Sequence, residues 1–237
     1  MTFLFTPPAV VSVPVAGTAG RFPVRRVYCV GRNYVDHIQE MREGNERDDP
    51  FFFQKPTDAV AGDGALVPYP TRTADFQFEG ELVVAIGAEG VNVTTEQSME
   101  LVFGYAAGID LTRRDRQRDC RERQISWEAG KSFDASAPCG PITPRTQTGD
   151  LAGAELRLAV NGEVHQRTPL ALMIWNVAEI IAHLSTDYRL RPGDLIYTGT
   201  PAGVGALVPG DVVRAEVDGL APLSVTITEN GNSHDDH

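Results

Sequence analysis

Cysteine is scarce in this chain. The three present, Cys29, Cys120 and Cys139, are odd in number and show no Cys-x-x-Cys spacing. That disfavours both a disulfide framework and a zinc site, and points to a reducing compartment. Positive charge is also short: 21 lysines and arginines stand against 32 acids, a formal net charge of −11. Such a balance argues against nucleic-acid and anionic-membrane partners. No apolar run reaches the roughly 18 residues that a membrane-spanning helix needs. The opening "MTFLFTPPAVVSVPVAG" is apolar, but it lacks a basic stretch and is broken by Pro7, Pro8 and Pro14. It reads as a leading β-segment rather than a signal peptide, and the expected location is the cytoplasm. Internal repeats and low-complexity segments are lacking too.

What the chain does have is punctuation. Its 23 glycines and 16 prolines recur at short intervals, which favours many short strands over long helices. Strands are predicted at 10–15, 24–30, 51–54, 78–87, 103–109, 155–161, 194–198, 211–217 and 222–228. Helices are predicted at 33–42, with Asn33 as N-cap, and at 95–101, 112–123 and 169–185. The last rests on Leu170, Met173, Ile174, Val177, Ile180, Ile181 and Leu184, whose spacing is helical and whose role is core packing. Asn161-Gly162 in "VNGEVHQ" signals a hairpin. Strands and helices do not alternate regularly, so a doubly wound sheet is disfavoured. At 237 residues the chain can bury a full core.

The stretch "DFQFEGELVVAIG" (75–87) is the first with chemical content. Its apolar run favours a strand, and alternation then puts Glu79, Glu81, Val83 and Ala85 on one side. Two like charges on a half-apolar face repel unless something positive lies between them; the bland alternative is the solvated end of an edge strand. Asp110, closing "FGYAAGID", is a third candidate. These three carboxylates offer hard oxygen ligands without histidine or thiolate, a set that suits Mg²⁺, Mn²⁺ or Ca²⁺. Just beyond, "LTRRDRQRDCRER" places Arg114, Gln117, Arg118 and Arg121 on one helical face, where they could collect a carboxylate substrate or form a solvated, ion-paired surface. His37 and Glu40, three apart on a helix, make a pair in which the acid orients the imidazole for general-base work. Lys131 stands among small residues in "WEAGKSFDASAPCGP", a turn suited to aiming a lysine into a site. "YTGTPAGVG" (197–205) is no Walker loop, but it can present Thr200 and backbone N–H groups to a carboxylate.

Taken in order, "YCVGRNYVDHIQEM", "PFFFQKPTDA", "FEGELVVAIG", "GYAAGIDLTRRDRQ", "WEAGKSFDASAPCGP", "VNGEVHQ" and "YTGTPAGVG" resemble the fumarylacetoacetate hydrolase family from about residue 24 to 228. The resemblance implies a β-rich α+β fold, a mixed β-sandwich roll. Residues 1–23 would form a leader packed on the same domain, 24–228 the catalytic domain and 229–237 a frayed tail. It implies a bound Mg²⁺ or Mn²⁺, a homodimer, and a small dicarboxylate or acylpyruvate substrate. Carried over by position, Glu79, Glu81 and Asp110 look like metal ligands and His37–Glu40 like a water-activating dyad. Lys131, Gln117 and Thr200 resemble substrate-holding and oxyanion-stabilising positions, with Arg32, Lys55 and Arg114 as neighbours. The leader "FPVRRVYCVGRNY" and "PFFFQKPTDA" are most similar to the bacterial fumarylpyruvate-cleaving branch. Two departures, Ser132 after the lysine and "GVGALVPG" in the later loop, touch no proposed ligand.

The expected reaction is hydrolytic carbon–carbon cleavage of an acylpyruvate, first choice fumarylpyruvate to fumarate and pyruvate. Alternatives within the family are decarboxylation of oxaloacetate and isomerisation or decarboxylation of a ring-cleavage diacid. A non-enzymatic alternative is a structural Ca²⁺ site in a binding protein, which leaves His37, Lys131 and the arginine face without a role. The polar segment "REGNERDDP" (42–50) reads as the hinge of a lid over His37 and Glu40.

Overall fold

The structure is a computed structural model that describes residues 3–41, 48–149, 151 and 153–230. Residues 42–47, most of the segment read as a lid hinge, and 231–237 of the tail lie outside the described residues.

The principal strands begin with β1 (Ser12–Pro14), β2 (Arg21–Pro23), β3 (Arg26–Gly31) and β4 (Phe51–Lys55). They continue with β5 (Leu66–Pro68), β6 (Phe76–Phe78), β7 (Gly80–Ile86), β8 (Val102–Ile109) and β9 (Thr143–Pro144). The later ones are β10 (Glu155–Val160), β11 (Glu163–Pro169), β12 (Asp194–Tyr197), β13 (Val212–Val217) and β14 (Leu223–Thr228). The helices used below are α1 (Val35–Met41), α2 (Arg114–Glu122), α3 (Glu128–Lys131) and α4 (Val177–Asp187).

Two mixed sheets carry the fold. One has six strands in the order β9-β8-β7-β12-β3-β4, antiparallel except for the parallel pair β12–β3. The other has five, in the order β11-β10-β13-β14-β5, with only β14–β5 parallel. Alternation along β7 explains why all seven of its residues are buried. Leu82, Val84 and Ile86 enter the larger core with Leu156, Leu158, Val213 and Ala215 of the second sheet and with Ile180, Ile181 and Leu184 of α4. Val83 and Ala85 enter a smaller core with Val27, Cys29, Leu195 and Tyr197. Val13 and Phe22 of the β1–β2 hairpin belong to that same cluster. Strand-rich sheets with segregated helices make this the β-rich α+β fold the residues lead one to expect. No helix among the described residues is long and apolar enough to cross a membrane.

The predicted helix 169–185 needs correction. Leu170–Leu172 form a single 3₁₀ turn after Pro169, and α4 starts only at Val177. A capping box sets that start: Asn176 accepts from the Glu179 N–H at 3.0 Å, and Glu179 accepts from the Asn176 N–H at 2.9 Å. Leu170, Met173 and Ile174 continue the apolar spacing without belonging to the helix. The predicted helix 95–101 likewise divides into an α-turn, Thr95–Ser98, and a 3₁₀ turn, Met99–Leu101.

Candidate active site

Strand register decides what meets at the end of the larger sheet. Antiparallel pairing sets Gly80 of β7 opposite Ile109 of β8, so the residues flanking this pair are brought together. Glu79 sits in the gap between β6 and β7, and its carbonyl accepts the Asp110 N–H at 2.8 Å. Glu81 faces the turn after β12, where the Gly199 N–H donates to its Oε2 at 2.7 Å. Gly199 has φ +94°, and an added Cβ would lie 2.7 Å from Asn33 Cβ, so the turn needs glycine to reach Glu81. One oxygen from each of Glu79, Glu81 and Asp110 lies within 4.8 Å of the other two, and all three residues are buried.

Cations crowd two of the three acids. Lys131 Nζ, from α3, donates to Glu79 Oε2 at 2.7 Å, to Asp110 Oδ2 at 2.8 Å and to Thr112 Oγ1 at 2.8 Å. Lys55 Nζ, from β4, lies 2.8 Å from Asp110 Oδ1 and donates to the Leu111 and Lys131 carbonyls. Arg114, at the start of α2, donates to Glu79, to Gln117 Oε1 and to Gln77 Oε1. Among the described residues no cation forms an ion pair with Glu81. Burial, then Asp110 and Glu79, push its carboxyl well above the ordinary range. Burial pushes Glu79 the same way, but Lys131 and Arg114 outweigh it and hold that carboxyl well below its usual value. Burial also opposes the charge on Lys131, yet Asp110 and Glu79 leave its pKa raised.

This donor set fits a divalent cation. It is all carboxylate oxygen, it is buried, and Asp110 Oδ1 has no well-formed hydrogen bond despite the nearby lysine. The two acids that interrupt the apolar strand are thus buried together with Asp110.

His37 and Glu40 come together on α1, with His37 Nδ1 3.2 Å from Glu40 Oε2. The bond to His37 is the main reason the Glu40 carboxyl is held below its ordinary value. An ionised carboxylate only accepts, so Nδ1 carries a proton toward Glu40, and in the neutral ring that leaves Nε2 as the acceptor. Glu40 is also fixed from the far side by the Gly203 N–H, at 3.2 and 3.3 Å to its two oxygens. Gly203 has φ +95°, and an added Cβ would lie 2.3 Å from the His165 carbonyl oxygen, so only glycine places that N–H here.

A single cavity touches Arg32, His37, Glu79, Glu81, Asp110, Arg114, Gln117, Lys131 and Thr200. Of the residues singled out by sequence, Glu40 stands behind His37 and Lys55 behind Asp110. The arginine face divides. Arg114 and Gln117 turn inward and are buried, whereas Arg118 is exposed and pairs with Asp75.

The model of the fumarylacetoacetate (FAA) hydrolase C-terminal domain matches residues 26–228. The chain belongs to the fumarylacetoacetate hydrolase family. It is 46% identical to a fumarylpyruvate hydrolase of a Ralstonia species over 177 residues, 75% of this chain and 92% of that protein. It is 38% identical to the mitochondrial oxaloacetate tautomerase of Rattus norvegicus over 199 residues, 84% of this chain and 90% of that protein. The crystal structure of fumarylpyruvate hydrolase from Pseudomonas aeruginosa in complex with Mn²⁺ and pyruvate superposes with a TM-score of 0.94 at 47% identity, covering 96% of this chain and 100% of that one. Fumarylacetoacetate hydrolase family members with these folds include hydrolases and isomerases.

Some of what holds this candidate site together was missed by sequence reasoning. Gln77, Thr112, Gln166 and Gly203 each make a bond to a site residue or its neighbour. A glutamine in an alternating strand and a glycine in a loop carry no local signal of that kind. Only the register that brings them together reveals it.

Proposed function

We propose that this protein is a metal-dependent hydrolase that cleaves the carbon–carbon bond of an acylpyruvate, with fumarylpyruvate as substrate and fumarate and pyruvate as products. The observation that carries the reading is the shared cavity: a three-carboxylate cluster and an oriented histidine open onto the same space. Similarity to the Ralstonia and Pseudomonas aeruginosa enzymes supports the choice of substrate.

Glu79, Glu81 and Asp110 would hold Mg²⁺ or Mn²⁺. When bound, that ion supplies a Lewis acid for negative charge developing on the pyruvoyl oxygens. Thr200 and the backbone of its loop would receive the pyruvoyl carboxylate. His37 Nε2 takes a proton from a water molecule as its oxygen attacks the ketone carbon farther from that carboxylate, and Glu40 stabilises the imidazolium that results. The new oxyanion lies in the field of Lys131. Because Gln117 Oε1 is taken by Arg114, its amide N–H₂ is the group left to donate into the cavity. Bond cleavage then releases fumarate and the pyruvate enolate, which regains a proton from His37.

Arg32 is the residue we assign to the distal carboxylate of fumarylpyruvate. It lines the cavity, has φ +61° and stacks at 5.5 Å over Phe51. No acid pairs with it among the described residues, whereas Arg114 and Arg118 are both committed. A charge-assisted contact is worth roughly 1.5–3 kcal/mol, or about tenfold and upward in kcat/KM.

The test is an ultraviolet assay of enol bleaching across fumarylpyruvate, acetylpyruvate and oxaloacetate, with wild type and Arg32→Ala. The reading requires wild type to prefer fumarylpyruvate over acetylpyruvate by at least about tenfold, and Arg32→Ala to lose most of that preference. Equal turnover of acetylpyruvate by wild type defeats the substrate assignment. A second reading, oxaloacetate chemistry in the same cavity, is favoured by the rat tautomerase similarity and would appear as dominant turnover of oxaloacetate.

A further inference from the structure

Gln166 is completely buried on β11, in the sheet opposite the carboxylates, and every polar atom of its side chain is used. Its Oε1 accepts from the Gly80 N–H at 2.8 Å, the peptide between Glu79 and Glu81. Its Nε2 donates to Thr200 Oγ1 at 2.8 Å and to the Pro201 carbonyl at 2.9 Å. One side chain therefore bridges the strand break that presents two of the three acids and the loop that presents Thr200.

The direction of these bonds matters more than their number. An amide nitrogen only donates, so Thr200 Oγ1 is an acceptor toward Gln166. Its hydroxyl proton must then point elsewhere. Thr200 lines the cavity, and the available direction is into it. A hydroxyl held in this sense meets an incoming carboxylate as a donor, without a rotamer search when the ligand arrives. The Gly80 bond does the complementary task of fixing the peptide on which Glu79 and Glu81 are hung.

We propose that Gln166 is a positioning residue: it locks the Thr200 hydroxyl as a donor to the substrate carboxylate and ties that donor to the Glu79–Glu81 segment. The inference rests on the reading above that Thr200 receives the pyruvoyl carboxylate.

The experiment is a double-mutant cycle on the Mn²⁺-loaded protein, with oxalate as a pyruvate-like probe and calorimetric Kd as the readout. The variants are Thr200→Val, Gln166→Met and the double variant, each accompanied by a thermal melt. Thr200→Val should raise the oxalate Kd by about tenfold, the loss of one hydrogen bond to a charged group. Gln166→Met, which keeps the volume and removes all three bonds, should raise it about three- to tenfold. In the Thr200→Val background Gln166→Met should raise the Kd by a clearly smaller factor than it does alone, since the hydroxyl it organises is gone and only its tie to Gly80 is left to lose. Should Gln166→Met fail to melt cooperatively, Gln166→Glu replaces it in the same cycle. Its carboxyl keeps an acceptor for Gly80; when ionised it takes the Thr200 proton, and when protonated its one hydrogen goes to the Pro201 carbonyl, the stronger acceptor. Additive effects of Gln166 and Thr200 changes, with Thr200→Val itself weakening oxalate, would overturn the positioning role and leave the substrate reading standing. If Thr200→Val leaves oxalate binding unchanged, the carboxylate is not at Thr200 and both fall.

Discussion

Lys131→Met tests the charge arrangement where it is most concentrated. The lysine is 2% exposed and gives all three of its N–H donors to Glu79, Asp110 and Thr112 at 2.7–2.8 Å. Methionine fills similar volume without the charge. Removing one partner of a buried ion pair typically costs about 3–5 kcal/mol, because the other charge is left uncompensated. Here Glu79 keeps Arg114 and Asp110 keeps Lys55, so the lower end, about 3 kcal/mol, is expected for the metal-free protein. For a chain of this size that is a fall of roughly 6–12 °C in Tm. The ammonium and a divalent ion draw on the same carboxylate oxygens, so Mn²⁺ should bind the variant more tightly and raise its Tm more than it raises that of wild type. The assay is differential scanning calorimetry of both proteins, stripped of metal and then titrated with Mn²⁺. A variant that melts with wild type when stripped, or gains less from Mn²⁺ than wild type does, would refute this account of the cluster.

Three further outcomes follow from the dyad and its support. On the proposed reading the imidazole serves chemistry and makes no described hydrogen bond to the carboxylate cluster, so His37→Ala should lower kcat by about 10²–10⁴-fold while calorimetric oxalate affinity changes little; joint loss of both would make it a ligand or a folding residue. Gly203→Ala forces a Cβ to within 2.3 Å of the His165 carbonyl and withdraws an N–H from Glu40, so kcat should fall with a Tm loss matching roughly 1–3 kcal/mol of backbone strain. Glu40 has a depressed carboxyl pKa, so its contribution to stability is present above the unfolded glutamate value of about 4.3 and lost as pH falls through the lower folded value. The Tm gap between wild type and Glu40→Gln should therefore be visible at pH 7 and close at strongly acid pH; a gap that widens on acidification contradicts the assigned bond.

The candidate site was legible where a residue type conflicted with its surroundings. Glu79 and Glu81 interrupt an apolar strand, and the structure buries both at a site three acids share. His37 and Glu40 were legible because helical spacing alone brings residues three apart together. Lys131 could be placed in a site but not oriented: that two of its donors go to carboxylates and the third to Thr112 follows from how α3 packs, which no local pattern encodes. Spacing grouped Arg114 with Arg118, yet Arg114 pairs with the buried Glu79 and Arg118 with the half-buried Asp75. The start of α4 was misplaced for a related reason. Leu170 and Met173 are apolar because they meet the core, and the capping box at Asn176, not the apolar stripe, decides where the helix begins. Gln166 was invisible because its partners come from the other sheet and from a loop 34 residues later.

The central claim is that three buried carboxylates hold a divalent ion on which acylpyruvate cleavage depends. Its most direct test is the ultraviolet assay of fumarylpyruvate with exhaustively metal-stripped wild type and with Glu81→Ala, before and after addition of Mn²⁺. Bleaching that is absent from stripped wild type, restored by Mn²⁺, and not restored in Glu81→Ala is the expected result. Full turnover by the stripped protein, or by Glu81→Ala with Mn²⁺, would contradict it.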